Sequence, residues 1–167
     1  MIKIIAASTK QDFKDIASLA NIIWREHYIP IIGVEQVDYM IENFQSSGAM
    51  YVQFIDGYEY YMIYHQNELV GYISVKKQKD SLFLSKIYIV KDFRGQGFGK
   101  QAMDFVSNRA VQLKCKSVSL GVNRFNVNSI EAYKKMGFKV VGEMITDIGS
   151  GFVMDDYKME KSLLKSE

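Results

Sequence analysis

The passage Ser81–Val122 limits the fold more than any other stretch of the chain. It reads as strand ("SLFLSKIYIV"), glycine turn ("KDFRGQGFGKQ"), long helix ("AMDFVSNRAVQL") and second strand ("SVSLGV"). Phe98, Ala102, Phe105, Val106, Ala110 and Leu113 recur at helical spacing after the turn. A strand, helix, strand passage of this kind forms a crossover. It places its two strands parallel, or splayed apart, in one sheet.

The flanking sequence fills in the rest. "IKIIAA" reads as a short strand, and Thr9 with Asp12 resembles a helix start. Phe13, Ile16, Ala17, Ala20, Ile23 and Trp24 share one helical face, and Pro30 is expected to break that helix. Val34, Val37, Ile41 and Phe44 mark a second helix closed by "QSSG", while Met50–Ile55 is ambiguous. "YEYYMIYH", "ELVGYISVKK" and "SLFLSKIYIV" form an antiparallel meander with tight turns at "QNE" and "QKDS". Asn128 with Glu131 resembles a capping box, and Gly137 ends the helix that follows. "FKVVGEMI" and "GFVMDDYKMEK" close the chain as a strand pair. The expected fold is α/β (α+β): one domain over residues 1–167, with a mixed, mostly antiparallel sheet of about seven strands and about four helices.

Composition excludes several classes. Net charge is +2, so charge alone gives no general affinity for nucleic acid or membranes. One cysteine, Cys115, rules out an internal disulfide and fits a reducing compartment. No apolar run approaches the roughly 20 residues of a membrane span. "MIKIIAAS" is too short an apolar stretch for a signal peptide, and a cytoplasmic location is expected. No metal is expected, and a homodimer is compatible with the sequence.

The glycine turn does not fit two familiar phosphate loops. A Walker-type loop needs glycine at Arg94 and Ser or Thr at Gln101. A dinucleotide fingerprint needs G-x-G-x-x-G and an acidic residue ending the next strand; here the spacing is G-x-G-x-G and the strand ends "LGVN". The physics of such a turn survives both failures. Glycines let backbone turn tightly and approach a ligand, and amides at the following helix start point at an anion. Glycines used for turning alone are the simpler explanation, but three of them flanked by Arg94 and Lys100 exceed that need.

Arg94-Gly95-Gln96-Gly97-Phe98-Gly99 resembles the Q/R-x-x-G-x-G/A signature of the GNAT superfamily of acyl-CoA N-acyltransferases. "SLGVNRFNVNSIEAYKKMGF" resembles its next strand and N-x-x-A-x-x-x-Y-x-x-x-G-F segment, with Asn126, Tyr133, Gly137 and Phe138 in place and Ser129 where alanine is usual. The resemblance implies acetyl-CoA as co-substrate, bound between splayed central strands. The backbone of Ile87, Tyr88 and Ile89 would pair with the pantetheine arm. The amides of Arg94, Gly95, Gln96, Gly97, Phe98, Gly99 and Lys100 would hold the pyrophosphate. Asn126 would bind the pantetheine or phosphate region, and Lys135 the adenosine end. Tyr133 would be the general acid that protonates the leaving thiolate.

The base stays open. Some relatives carry a glutamate in the central strand, but here it reads "FLSKIY". Candidates are His27, Glu26, Glu143, Asp155, Asp156 or a water chain. Cys115 has no histidine nearby in sequence and is not expected to act as a nucleophile. The resemblance to the bacterial spermidine/spermine-type branch, including a D-Y-x-M-x-K closing strand, implies a small cationic amine such as a polyamine as acceptor. Glu26, Glu35, Asp38, Glu42, Asp147, Asp155 and Asp156 outnumber Arg25 and Lys158 and agree in sign with that acceptor. The alternatives are a non-catalytic acyl-CoA-binding regulatory module and an acetyltransferase acting on a protein amine.

Overall fold

A computed structural model describes residues 1–164. The elements run β1 Lys3–Ala6, α1 Lys10–Ile32, α2 Val34–Phe44, α3 Ser47–Ile55, β2 Glu59–His65, β3 Glu68–Gln78, β4 Ser81–Ile89, a 3₁₀ turn Lys91–Phe93, α4 Phe98–Gln112, β5 Ser117–Asn123, α5 Val127–Lys135, β6 Lys139–Gly149 and β7 Phe152–Ser162. The strands follow the order β1-β2-β3-β4-β5-β7-β6. The chain divides into two compact units, Met1–Lys76 with Lys86–Met103, and Lys77–Ser85 with the chain from Asp104 onward. Both β4 and α4 run through the boundary between them.

In the first unit, β1 pairs antiparallel with β2, and β2 with β3. The β2–β3 turn places Gln66 (φ 50°) and Asn67 (φ 68°) both in the left-handed region, the twist a two-residue hairpin needs. Thr9 caps α1 as expected: its hydroxyl accepts from the Asp12 amide at 3.1 Å and the Asp12 carboxylate accepts from the Thr9 amide at 3.1 Å. Such a cap contributes about 1 kcal/mol. Phe13, Ile16, Ala20, Ile23 and Trp24 are the buried face of α1. Phe13 centres an aromatic group with Tyr51, Phe54 and Tyr60 at 5.2–5.8 Å between ring centroids.

Two expectations in this unit are corrected. Helix α1 runs through Pro30 to Ile32. Pro30 leaves the Glu26 carbonyl without its donor and crowds it, but only two helical residues follow, so the loss stays local; the stop is set by Gly33, whose φ of 87° suits glycine and whose amide bonds Ile29 O at 3.0 Å. The ambiguous run is helical and begins earlier, at Ser47, because the Ser46 hydroxyl accepts from the Ala49 amide at 3.2 Å. The helix count is thus five among the described residues, not four.

In strand β4, burial alternates through Leu82, Leu84 and Lys86, then slips one residue to Ile89. A bulge produces such a slip. Gly71 of β3 lies against this place: an added Cβ would stand 2.3 Å from the Tyr88 carbonyl oxygen and 3.0 Å from Ile89 Cδ1. Backbone there cannot yield cheaply. Gly71→Ala is expected to cost about 2–3 kcal/mol, which for a domain of this size lowers Tm by roughly 5–10 °C. Calorimetry checks it, and a Tm within about 2 °C of wild type would refute the close approach.

In the second unit, β4 and β5 pair parallel at Ser81–Ser117, Leu82–Val118 and Phe83–Ser119, the only parallel pair among the strand pairings described. Strand β5 then pairs antiparallel with β7 from Ser117 to Asn123, and β7 pairs with β6. Val106, Ala110, Val118, Leu120, Val122, Ile130, Phe138 and Met159 are buried. Asn126, not Asn128, stands at the N-cap position of helix α5, without a side-chain cap bond. The Asn123 side chain accepts from the Phe125 amide at 2.9 Å and the Asn123 carbonyl from the Asn126 amide at 2.9 Å, which starts the helix two residues early. Among the described residues no helix is long and apolar enough to cross a membrane.

Candidate active site

Within the first unit the structure brings together the β4 end and the glycine turn. After Ile89 the 3₁₀ turn reverses the chain, and Arg94 Nε donates to the Ile89 carbonyl at 2.9 Å, closing the base of the loop. Gly95 (φ 77°) and Gly97 (φ 81°) both sit in the left-handed region. Gly99 does not, yet nothing lies within 4 Å of where its Cβ would stand. A glycine in the first turn of a helix costs about 0.5–1 kcal/mol relative to alanine. Chain geometry therefore explains Gly95 and Gly97 but not Gly99.

The first intrahelical bond of α4 runs from the Gln101 amide to the Gly97 carbonyl at 3.2 Å. The amides of Phe98, Gly99 and Lys100 thus have no partner within the helix, as at any helix start. Arg94, Gly95, Gln96, Gly97 and Lys100 are exposed, while Phe98 is buried and packs its ring 4.9 Å from His65. The result is an anchored, cationic, amide-lined turn open to solvent, suited to a phosphate.

Ile87 and Tyr88 are half-buried and Ile89 is buried. The Tyr88 ring packs on Trp24 (5.8 Å), Tyr72 (5.3 Å) and Tyr28 (6.3 Å), and its hydroxyl lies 3.4 Å from that of Tyr28. This aromatic group fixes β4 to α1. His27 is half-buried beside Tyr28, ring centroids 4.7 Å apart.

One residue here escaped the sequence reading. Lys86 on β4 is 6% exposed, and its Nζ donates to Phe44 O at 3.1 Å, Gln53 Oε1 at 2.8 Å and the Tyr60 hydroxyl at 2.5 Å. All three ammonium donors are used, tying the α2 end, α3 and β2 to the central strand. Burial pushes the Lys86 ammonium down to about 7. Alternation from Leu82 and Leu84 already put Lys86 on a buried face, the one signal that could have marked it.

In the second unit Asn126 is buried at the start of α5, Tyr133 is half-buried with its ring 5.8 Å from Phe138, and Lys135 is exposed in the last turn. The Cys115 thiol is pushed up by burial, which makes it a poor nucleophile. Strand alternation separates the two adjacent carboxylates of β7. Asp155 meets Arg124 at 2.7 Å, and the same guanidinium reaches Glu143 at 3.5 Å and lies 5.0 Å over the Tyr157 ring. Asp156 lies on the other face and is 6% exposed. Burial first, then the charge of Asp155, pushes its carboxyl up to about 6.

The acids named from sequence do not form one cluster. Glu26, Glu35, Glu42 and Asp147 are exposed, and Asp38 pairs with Arg25 at 2.7 Å. Among the described residues no group of three or more His, Cys, Asp or Glu could hold a metal ion.

Comparison with known proteins follows the same residues. The model of the acetyltransferase (GNAT) family matches residues 16–138. The chain belongs to this family. The GNAT match contains the glycine turn, Ile87–Ile89, Asn126, Tyr133 and Lys135, and ends before Glu143, Asp155 and Asp156. A probable spermine N(1)-acetyltransferase of Bacillus subtilis subsp. natto is 25% identical over 91 residues, 49% of this chain and 60% of that protein. A peptidyl-lysine N-acetyltransferase of Salmonella typhimurium is 34% identical over 89 residues, 52% of this chain and 54% of that protein. The chain thus spans little more than half the length of the curated relatives it matches. The crystal structure of PaiA N-acetyltransferase from Thermoplasma acidophilum in complex with coenzyme A superposes with a TM-score of 0.81 at 21% identity, over 97% of this chain and 99% of that one. The GNAT fold expected from the sequence is the fold observed.

Proposed function

We propose that this protein moves an acetyl group from acetyl-CoA to a primary amine on a small cationic molecule such as a polyamine. GNAT enzymes use acetyl-CoA as co-substrate. The glycine turn is the observation that carries the reading, because Gly99, with open space at its Cβ position, and the exposed Lys100 beside it have an explanation in a bound diphosphate.

In this mechanism the amides from Arg94 to Lys100 hold the pyrophosphate, and the backbone of Ile87, Tyr88 and Ile89 pairs with the pantetheine arm. Asn126 hydrogen-bonds the pantetheine or phosphate region, and Lys135 reaches the adenosine end. The thioester carbonyl is attacked directly by the neutral amine. An oxyanion at that carbon needs a donor, and an amide at the β4 irregularity supplies one. The thiolate then takes a proton from Tyr133; from a phenol of pKa about 10 to a thiolate of pKa about 8.5 the transfer is uphill by only about 2 kcal/mol, and the second nitrogen proton returns to the phenolate. Tyr133 in its family position favours catalysis over a non-catalytic binding module.

The acceptor class rests on the spermine-acetylating relative and on the exposed acids of α1 and α2. Exposed carboxylates concentrate a cationic amine, and their attraction is screened within about 10 Å at 0.1 M salt. Spermidine is therefore expected to show a kcat/KM at least tenfold above neutral amines of similar length, falling severalfold from low to high salt. Thiol release across an amine panel measures it. Equal values, or no salt effect on the cationic amines, would remove the polyamine class. A lysine-bearing peptide outperforming every small amine would favour protein acetylation, the reading supported by the Salmonella relative.

A further inference from the structure

The residue that removes the acceptor's proton is not given by the family signature, since β4 carries Lys86 in place of an acid and Lys86 spends its three donors on Phe44, Gln53 and Tyr60. A base must be an acceptor with an unsatisfied lone pair near the reacting strands. His27 packs edge-on against Tyr28 on α1, and Glu26 is exposed on the same helix. Asp155 and Glu143 share the Arg124 guanidinium at 2.7 and 3.5 Å, so both already have a cation as partner.

Asp156 differs from all of these. It lies opposite Asn123 of β5 and Met144 of β6 in the strand registers. Strand alternation puts it on the face of Gly121 and Lys158, away from Arg124, Asp155, Glu143 and Tyr157. Its Oδ2 stands 3.4 Å from where a Cβ on Gly121 would be. Gly121 is exposed and puts no side chain beside the buried carboxylate, and Met144 Cε, 3.8 Å from the same point, is the other neighbour there. Lys158, exposed and two residues along β7, and Lys161 beyond it are the cations of that strand. Neither lies within ion-pair distance of Asp156 among the described residues.

We propose that Asp156 is the general base of the acetyl transfer, approached by the acceptor ammonium across Gly121. This rests on the acetyltransferase reading above. The carboxylate takes one proton from the ammonium, and the freed nitrogen lone pair bonds the thioester carbon. The C–S bond breaks, the thiolate takes the Tyr133 proton, and the second nitrogen proton restores Tyr133. The Asp156 proton then passes to solvent, so the net release is one proton per acetyl group. A carboxylate with only buried, like-charged influence is a stronger base than an ordinary aspartate, while remaining ionised at neutral pH.

Asp156→Asn keeps the shape and removes the basic lone pair's charge. Wild type is expected to show an acid limb near pH 6 in kcat/KM for spermidine, and the variant is expected to lose that limb and at least tenfold in kcat at pH 7.5, with acetyl-CoA affinity unchanged. Asp156→Glu should restore part of the rate together with the limb. A ¹³C carboxyl titration of wild type supplies a measurement independent of the variants' folding, with a midpoint near 6 expected for Asp156. An unchanged limb and rate in a folded Asp156→Asn protein, or a titration midpoint near 4, would overturn the assignment and leave acetyl transfer standing. Wild type that releases no thiol with any amine would overturn both readings.

Discussion

Tyr133→Phe is expected to lower kcat by roughly 10²–10⁴, the range for loss of a general acid, with acetyl-CoA affinity almost unchanged. The substitution removes one oxygen. The ring that meets Phe138 at 5.8 Å stays, as do the backbone bonds from Met136 and Phe138 to the Tyr133 carbonyl. The helix end and its Gly137 stop are therefore preserved, and a loss of rate reports the hydroxyl. Thiolates are reasonable leaving groups even unprotonated, so the effect should shrink with a more acidic thiol leaving group. A kcat within about threefold of wild type, measured where chemistry limits turnover, would show that Tyr133 has another role.

The parts of this structure that were readable in the sequence are those written in local chemistry. Glycine at 95 and 97 is demanded by positive φ, so a turn between strand and helix could be placed without knowing the fold. Thr9 and Asp12 announce a helix start because both halves of the capping box lie within four residues. Local reading failed where two local rules compete. "MYVQFI" suits a strand or a helix by periodicity, and the Ser46 cap decides it. Pro30 weakens the helix it sits in without ending it, and the end is marked three residues later by Gly33.

The proposed site is unevenly written in the sequence for a related reason. The residues proposed to meet the donor lie in one contiguous signature, from the end of β4 into α4, and in the segment that opens α5. Asp155 and Asp156 look equivalent in "MDDY" and become different only when β7 pairs with β5 and β6. One then meets Arg124 and the other is buried without it. Lys86 carries no local sign of its role in "FLSKIY". Its role depends on Phe44, Gln53 and Tyr60, which are 26 to 42 residues distant in sequence. Groups whose chemistry is set by partners so far away carry no local mark.

Gly97→Val is expected to weaken acetyl-CoA binding by roughly 10² or more. Two effects add. Gly97 has a φ of 81°, where a β-branched residue is an outlier costing about 1–2 kcal/mol or more, so the loop shifts. Branches at that position also keep the diphosphate from the amides, and each charge-assisted hydrogen bond lost costs about 1.5–3 kcal/mol. Strain and exclusion are separated by Gly99→Ala. At position 99 the φ lies outside the left-handed region and the space for a Cβ is empty, so the chain itself gains from alanine. Stability should rise by about 0.5–1 kcal/mol while affinity for acetyl-CoA falls. Opposite signs in thermal unfolding and in binding calorimetry can come only from a ligand that occupies the space the glycine leaves. If Gly99→Ala binds as tightly as wild type and Gly97→Val loses affinity only in proportion to its loss of stability, the turn is shaped by its own backbone and the diphosphate is held elsewhere.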